Sequence, residues 1–133
     1  MKNYTDIGQS KKLAEILPIE SADMCYSNSP VTDIINTDNY TANLHTVKEM
    51  KEVFDKRFHQ WDTYWKLIPC WSLAALLDVI PGGQVNRMAN SDKWEASSWN
   101  DTDFEPTYHV EDHDNAVDAC YELILKLHEL KLL

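Results

Sequence analysis

Two apolar blocks with helical spacing, Pro69 to Ile80 and Ala116 to Leu130, bracket a tryptophan-bearing stretch in which polar and apolar residues alternate. A helix with one oily stripe and a strand with one oily face must each bury that side against something, and a small sheet carrying two helices satisfies both. The first block holds Leu73, Leu76, Leu77 and Ile80, with Ser72 to Val79 read as helix, Pro69 as its lead-in and Pro81-Gly82-Gly83 as its stop. That reading puts Cys70 and Trp71 at a helix start. The last helix opens near Asp114 and repeats Val117, Cys120, Ile124 and Leu127, with Leu123 and Leu130 widening the stripe. Its Asp118 and Glu122 come early and Lys126 and Lys131 late, the order the helix dipole favours.

Between the blocks, Val85 to Met88, Lys93 to Trp99 and Phe104 to Val110 read as strands of an antiparallel meander. Alternation along the second places Trp94, Ala96 and Ser98 on one face and Glu95, Ser97 and Trp99 on the other. The expected fold is therefore α+β: a small antiparallel sheet of three or four strands with the helices packed mainly on one face. At 133 residues the chain suits one domain spanning 1–133, able to bury roughly two thirds of its unfolded surface.

The N-terminal half is less regular. Thr5 or Asp6 caps a short helix whose Ile7, Leu13, Ile16 and Leu17 run up to Pro18. Ser21 to Tyr26 reads as a short strand, and Ser27 to His45 as a long polar loop, a length usually reserved for mobile or functional connections. Thr46-Val47-Lys48-Glu49 has capping-box form, so a helix is expected there. Its stripe of Val47, Met50, Phe54, Phe58, Trp61 and Trp65 suits core packing; left exposed, the Val47 to Trp65 helix would be a homo-oligomer interface.

The formal charge of -10 is unevenly placed: residues 1–90 hold 9 Lys/Arg against 11 Asp/Glu, whereas 91–133 hold 3 against 11. Asp101, Asp103, Glu105, Glu111, Asp112 and Asp114 fall within one short stretch that has no Lys or Arg, a field that repels phosphate backbones. Nucleic acid is excluded as an ordinary partner, and a basic protein surface is favoured. The three cysteines, Cys25, Cys70 and Cys120, are odd in number and widely spaced, which argues against a disulfide framework. No apolar run approaches signal-peptide or membrane-span length, so a cytoplasmic chain with no membrane partner is expected.

Three blocks carry a resemblance: Thr5-Asp6-Ile7 through Lys11-Lys12-Leu13-Ala14-Glu15-Ile16-Leu17-Pro18, Ile68-Pro69-Cys70-Trp71-Ser72-Leu73-Ala74-Ala75-Leu76-Leu77, and Asn115-Ala116-Val117-Asp118-Ala119-Cys120 through Leu127-His128-Glu129-Leu130. Together, at fewer than half of the residues, they resemble small uncharacterised proteins of gut bacteria of the Bacteroides group, including prophage-like regions. The resemblance implies a mobile-element setting and brings no activity or catalytic residue with it. Gly8 and Ala116 stand where it leads one to expect Glu and Pro, which weakens both helix starts.

Two constellations have chemical content. A thiol at a helix start, as read for Cys70, has its pKa lowered by free backbone amides, and His109 would serve as its base with Asp112 or Glu111 orienting the ring. Cys70-Trp71 resembles the nucleophile of papain-like peptidases, but the upstream Cys-Gly-Ser is missing, Tyr64 stands where the oxyanion Gln belongs, and the Cys-to-His interval is far too short. A buried helix-end cysteine is the plainer reading. His109-Val110-Glu111-Asp112-His113 offers metal-ligand types at a spacing that suits a helix, yet here a turn ending a strand and capping the next helix is expected, with the imidazoles of His109 and His113 pointing apart. Asp101-Thr102-Asp103-Phe104-Glu105 lacks the Gly and closing Glu of a calcium loop, and three glycines are too few for a phosphate loop. No cofactor is implied. Trp94, Trp99, Phe104 and Tyr108 would make a stacking platform for sugars or bases if they shared a face, with core filling as the default.

The resulting expectation is a non-enzymatic, acidic, soluble accessory or protein-interaction domain. The alternatives are a small cysteine hydrolase using Cys70 and His109, and an acidic DNA mimic, for which the acidic stretch looks too compact.

Overall fold

The computed structural model describes residues 2–27, 43–46, 68–99 and 107–133, which form an α+β fold with two three-stranded antiparallel sheets. The chain divides into two compact units, one of residues 6–71 and one of residues 72–133 together with the N-terminal five.

In the first unit, helix α1 (Ile7–Ala14) starts from a reciprocal cap: the Asp6 carboxylate accepts from Gln9 N at 2.8 Å, and the Gln9 side chain accepts from Asp6 N at 3.2 Å. Leu13 and Leu17 are buried, as their spacing predicts. A turn of 3-10 helix (Ile19–Ser21) follows Pro18 and leads into strand β1 (Met24–Ser27). Strands β2 (Asn43–Thr46) and β3 (Ile68–Cys70) flank β1 in the order β2-β1-β3.

Two expectations change here. Asn43, Leu44 and His45 belong to a strand and not to the long loop, and Thr46 closes that strand; residues 28–42 and 47–67, including the expected aromatic helix and the interface proposed for it, lie outside the described residues. Pro69 does not lead into a helix: Ile68–Cys70 pairs antiparallel with β1 as an edge strand. An edge strand is where a sheet tolerates a residue without an N–H.

Register assigns the faces of this sheet. Met24 opposes Cys70 and Tyr26 opposes Ile68, so these four share one side, where Tyr26, Ile68 and Cys70 form a buried cluster joined by Ile7 of α1. Cys25 opposes Pro69 on the other side. After β3 the indole of Trp71, fully buried, donates to Ser21 Oγ at 3.0 Å, and that hydroxyl donates in turn to Pro18 O at 2.6 Å.

In the second unit, helix α2 (Leu73–Val79) is capped by Ser72, whose hydroxyl accepts from Ala75 N at 3.2 Å. The N-terminal segment runs beside this start: Asn3 O accepts from Leu73 N, and Tyr4 bridges to Ser72. Strands β4 (Gly83–Arg87), β5 (Trp94–Ser98) and β6 (Tyr108–His113) form the expected meander in the order β4-β5-β6. Helix α3 (Ala116–Glu129) begins at Asn115, whose side chain accepts from Asp118 N at 2.8 Å. It buries Val117, Cys120, Leu123, Ile124 and Leu127, and each of the larger aliphatics contributes about 1.5–3 kcal/mol relative to exposure. Helix α3 packs against β5 and β6 and against α2, which also meets β4.

Candidate functional site

Strand register separates the two faces of the β4-β5-β6 sheet. Val85, Ala96 and Val110 lie side by side, with Trp94 opposite His113 and Ser98 opposite both Gly83 and Tyr108. Ala96 is fully buried, so this is the side the helices cover. Alternation turns Gln84, Asn86, Glu95, Ser97, His109 and Glu111 to the opposite side, with Gln84 and His109 flanking Ser97 in one row and Asn86 beside Glu95 in the next. Gln84, Asn86, His109 and Glu111 are exposed and Glu95 is half-buried.

Ser97 is the exception, a buried hydroxyl on an otherwise open face. Its cover is Trp99: the indole N–H reaches back along the strand and donates to Ser97 Oγ at 2.9 Å. That bond brings the N–H edge of the ring to the centre of the face. Within the neighbouring strand β6, His109 Nε2 lies 3.2 Å from Glu111 Oε1, and both side chains are about half exposed. None of the strand residues on this face is a Lys or Arg. Sequence reading assigned the alternation in β5 but did not assemble the face; the polar pair Gln84 and Asn86 around Val85 was the available signal.

The sequence-stated chemical residues are distributed otherwise than expected. Cys70 is fully buried on β3 and does not stand at a helix start, which falls instead at Ser72. Cys25 is likewise a buried thiol, and Cys120 is pushed up to about 12 by burial. His109 sits with Glu111 on the open face, while Asp112 takes a left-handed conformation, φ 65°, at a bulge in β6. The expected turn at 109–113 is thus a continuous strand with one extra residue. Its imidazoles still point apart: His113 opposes Trp94 on the helix side and His109 opposes Ser97 on the open side. Among the described residues no three His, Cys, Asp or Glu side chains converge to hold a metal. The aromatic platform divides the same way, with Trp94 and Tyr108 on the covered face and Trp99 on the open one; Phe104 lies outside the described residues.

Two carboxylates beyond β6, Asp114 and Asp118, are locally paired. Asp114 bonds to Lys93, and that hydrogen bond and charge hold the ammonium above its usual range, aided by Asp112 and Asp92. Asp118, near the start of α3, accepts from Lys2 at 2.7 Å and from the Asn115 amide at 2.9 Å. Arg87 meets Asp92 at 2.8 Å in the β4-β5 turn. Among the described residues no helix is long and apolar enough to cross a membrane. Compared with known protein families, curated proteins and solved structures, the chain matches none.

Proposed function

We propose that the protein is a non-enzymatic accessory domain, soluble and cytoplasmic, that binds a basic surface of another protein through the open face of its β4-β5-β6 sheet. One observation carries this reading: a sheet whose other side is taken up by helices presents Gln84, Asn86, Glu95, His109 and Glu111 with no strand cation among them. The C-terminal excess of carboxylates across residues 91–133 supplies the long-range field that would steer such a partner. The resemblance of the three sequence blocks to prophage-associated proteins supports a mobile-element setting for that partnership.

The cysteine hydrolase reading has less support, since a thiol sealed from solvent offers no route to a substrate. The DNA-mimic reading also has less, because Asp114 and Asp118 are engaged by Lys93 and Lys2 and do not stand as free phosphate substitutes.

Binding of an arginine- and glycine-containing peptide, measured calorimetrically across a salt series, tests the proposal. Affinity should fall as ionic strength rises and the Debye length contracts from roughly 10 Å at 0.1 M to about 3 Å at 1 M. Equal affinity at both ends of the series overturns it.

A further inference from the structure

Resting on that reading, we infer that the open face recognises an arginine side chain of the partner, with the Trp99 indole as the stacking surface and Glu95 and Glu111 as its anionic flank. Three placements carry the inference. The bond from the indole N–H to Ser97 Oγ draws the ring back from the end of β5 and fixes its N–H edge at Ser97, so the ring is ordered before any ligand arrives. Glu95 lies two residues before Ser97 on the same side of the same strand, a step of about 6.6 Å. His109 opposes Ser97 on β6, and Glu111 follows two residues on, bonded to that imidazole. A ring anchored by its N–H edge at Ser97 is therefore one row of the sheet from two carboxylates.

A planar guanidinium suits this arrangement better than an ammonium. Its face stacks on an indole while its edge N–H groups remain free to donate to carboxylates beside the ring, whereas an ammonium makes only a point contact. The occupant is a protein segment and not a nucleic acid, because the strand side chains here would repel phosphate. The chemistry is charge-complementary at the flank and apolar at the centre.

The test is titration of the full chain with two peptides that differ only in one central residue, arginine or lysine, each flanked by glycines. The readout is the indole N–H resonance of Trp99, assigned by its loss in Trp99→Phe. The arginine peptide should shift that resonance and bind more tightly than its lysine twin, by up to the two- to fivefold that an exposed cation-π contact of roughly 0.5–1 kcal/mol supplies in full. The double variant Glu95→Gln with Glu111→Gln should weaken binding of both peptides, while Glu122→Gln, on exposed surface of α3, leaves it unchanged. If the two peptides bind equally and the Trp99 resonance stays still, the arginine inference is overturned and the docking face survives. If the double variant binds as Glu122→Gln does, the docking face itself is wrong.

Discussion

Gly82 offers the sharpest test of how the second unit is closed. It adopts φ 57°, a left-handed conformation, in the turn from α2 to β4, and a Cβ built on it would lie 2.3 Å from Trp99 O and 3.0 Å from Trp99 C. Those are backbone atoms, so no rotamer change relieves the contact. Nor can the end of β5 simply withdraw, because Trp99 N donates to Gly82 O at 3.2 Å. Gly82→Ala therefore incurs about 1–2 kcal/mol for the left-handed backbone. Moving Trp99 away loses a hydrogen bond of about 1 kcal/mol. Reduced freedom of the unfolded chain returns roughly 0.4–1 kcal/mol. The net loss is about 1–2.5 kcal/mol. Gly8→Ala is the matched control: its Cβ would meet only Asp6 Oδ1, at an ordinary 3.4 Å, inside α1. There the better helix former should add about 0.5–1 kcal/mol. Urea unfolding followed by tryptophan fluorescence and circular dichroism reads both, with a midpoint lowered by about 0.5–1.5 M for Gly82→Ala and raised for Gly8→Ala. Midpoints for Gly82→Ala within a few tenths molar of the parent would refute the claim that the turn is locked against the end of β5.

Other outcomes follow from single features. Lys131 takes φ 58° where Leu132 N bonds to Leu127 O and Lys131 N to His128 O, a Schellman end to α3, so Lys131→Gly should raise stability by about 1 kcal/mol in the same urea assay. Cys120 has its pKa raised by burial from 9.0 to about 12, so the stability it supports is intact below pH 9 and lost as pH climbs toward 12. Comparing the pH dependence of unfolding for the parent and Cys120→Ala isolates that slope, which should be shallower in the variant. All three thiols should resist iodoacetamide in the folded protein at pH 8 and react once urea unfolds it, as mass spectrometry would count. Ser98→Ala removes the donor held by Pro81 O at 2.6 Å beneath the sheet and should cost about 1–2 kcal/mol.

What the sequence made legible, and what it hid, divides along the kinds of force that act on each segment. The stripes of α2 and α3 and the alternation of β5 were readable because burial of one side imposes a period on the residues, and that period survives whatever the partner element is. The helix starts were readable to within a residue for a related reason, since a helix start has orphan amides that only a few side chains satisfy: Thr5 or Asp6 was expected where Asp6 caps, and a start near Asp114 where Asn115 caps. The first sheet had no such imprint. Ile68-Pro69-Cys70 is three residues long, too short for alternation to register, and proline ahead of Ser72 and an apolar run carries the look of a helix lead-in. Only the non-local pairing with Met24–Ser27 reveals that the proline occupies a sheet edge, and a local pattern cannot contain that pairing. The candidate site was hidden in the same way. Trp99 and His109 are ten residues apart in the chain, and neither signals the other; Ser97 relates them, as the acceptor for one and the cross-strand neighbour of the other. A buried serine in a strand has no distinctive sequence signature, so a face organised around one is visible only after register is known. The misread of 109–113 has the complementary cause: acidic residues and a helix cap nearby imply a turn, yet Asp112 absorbs the irregularity as a single left-handed bulge residue and lets β6 run on to His113. The extra residue is what sends the two imidazoles to opposite sides, since four residues apart in a regular strand they would share one, and it leaves His109 with Glu111 on the open face and His113 opposite Trp94 on the covered one.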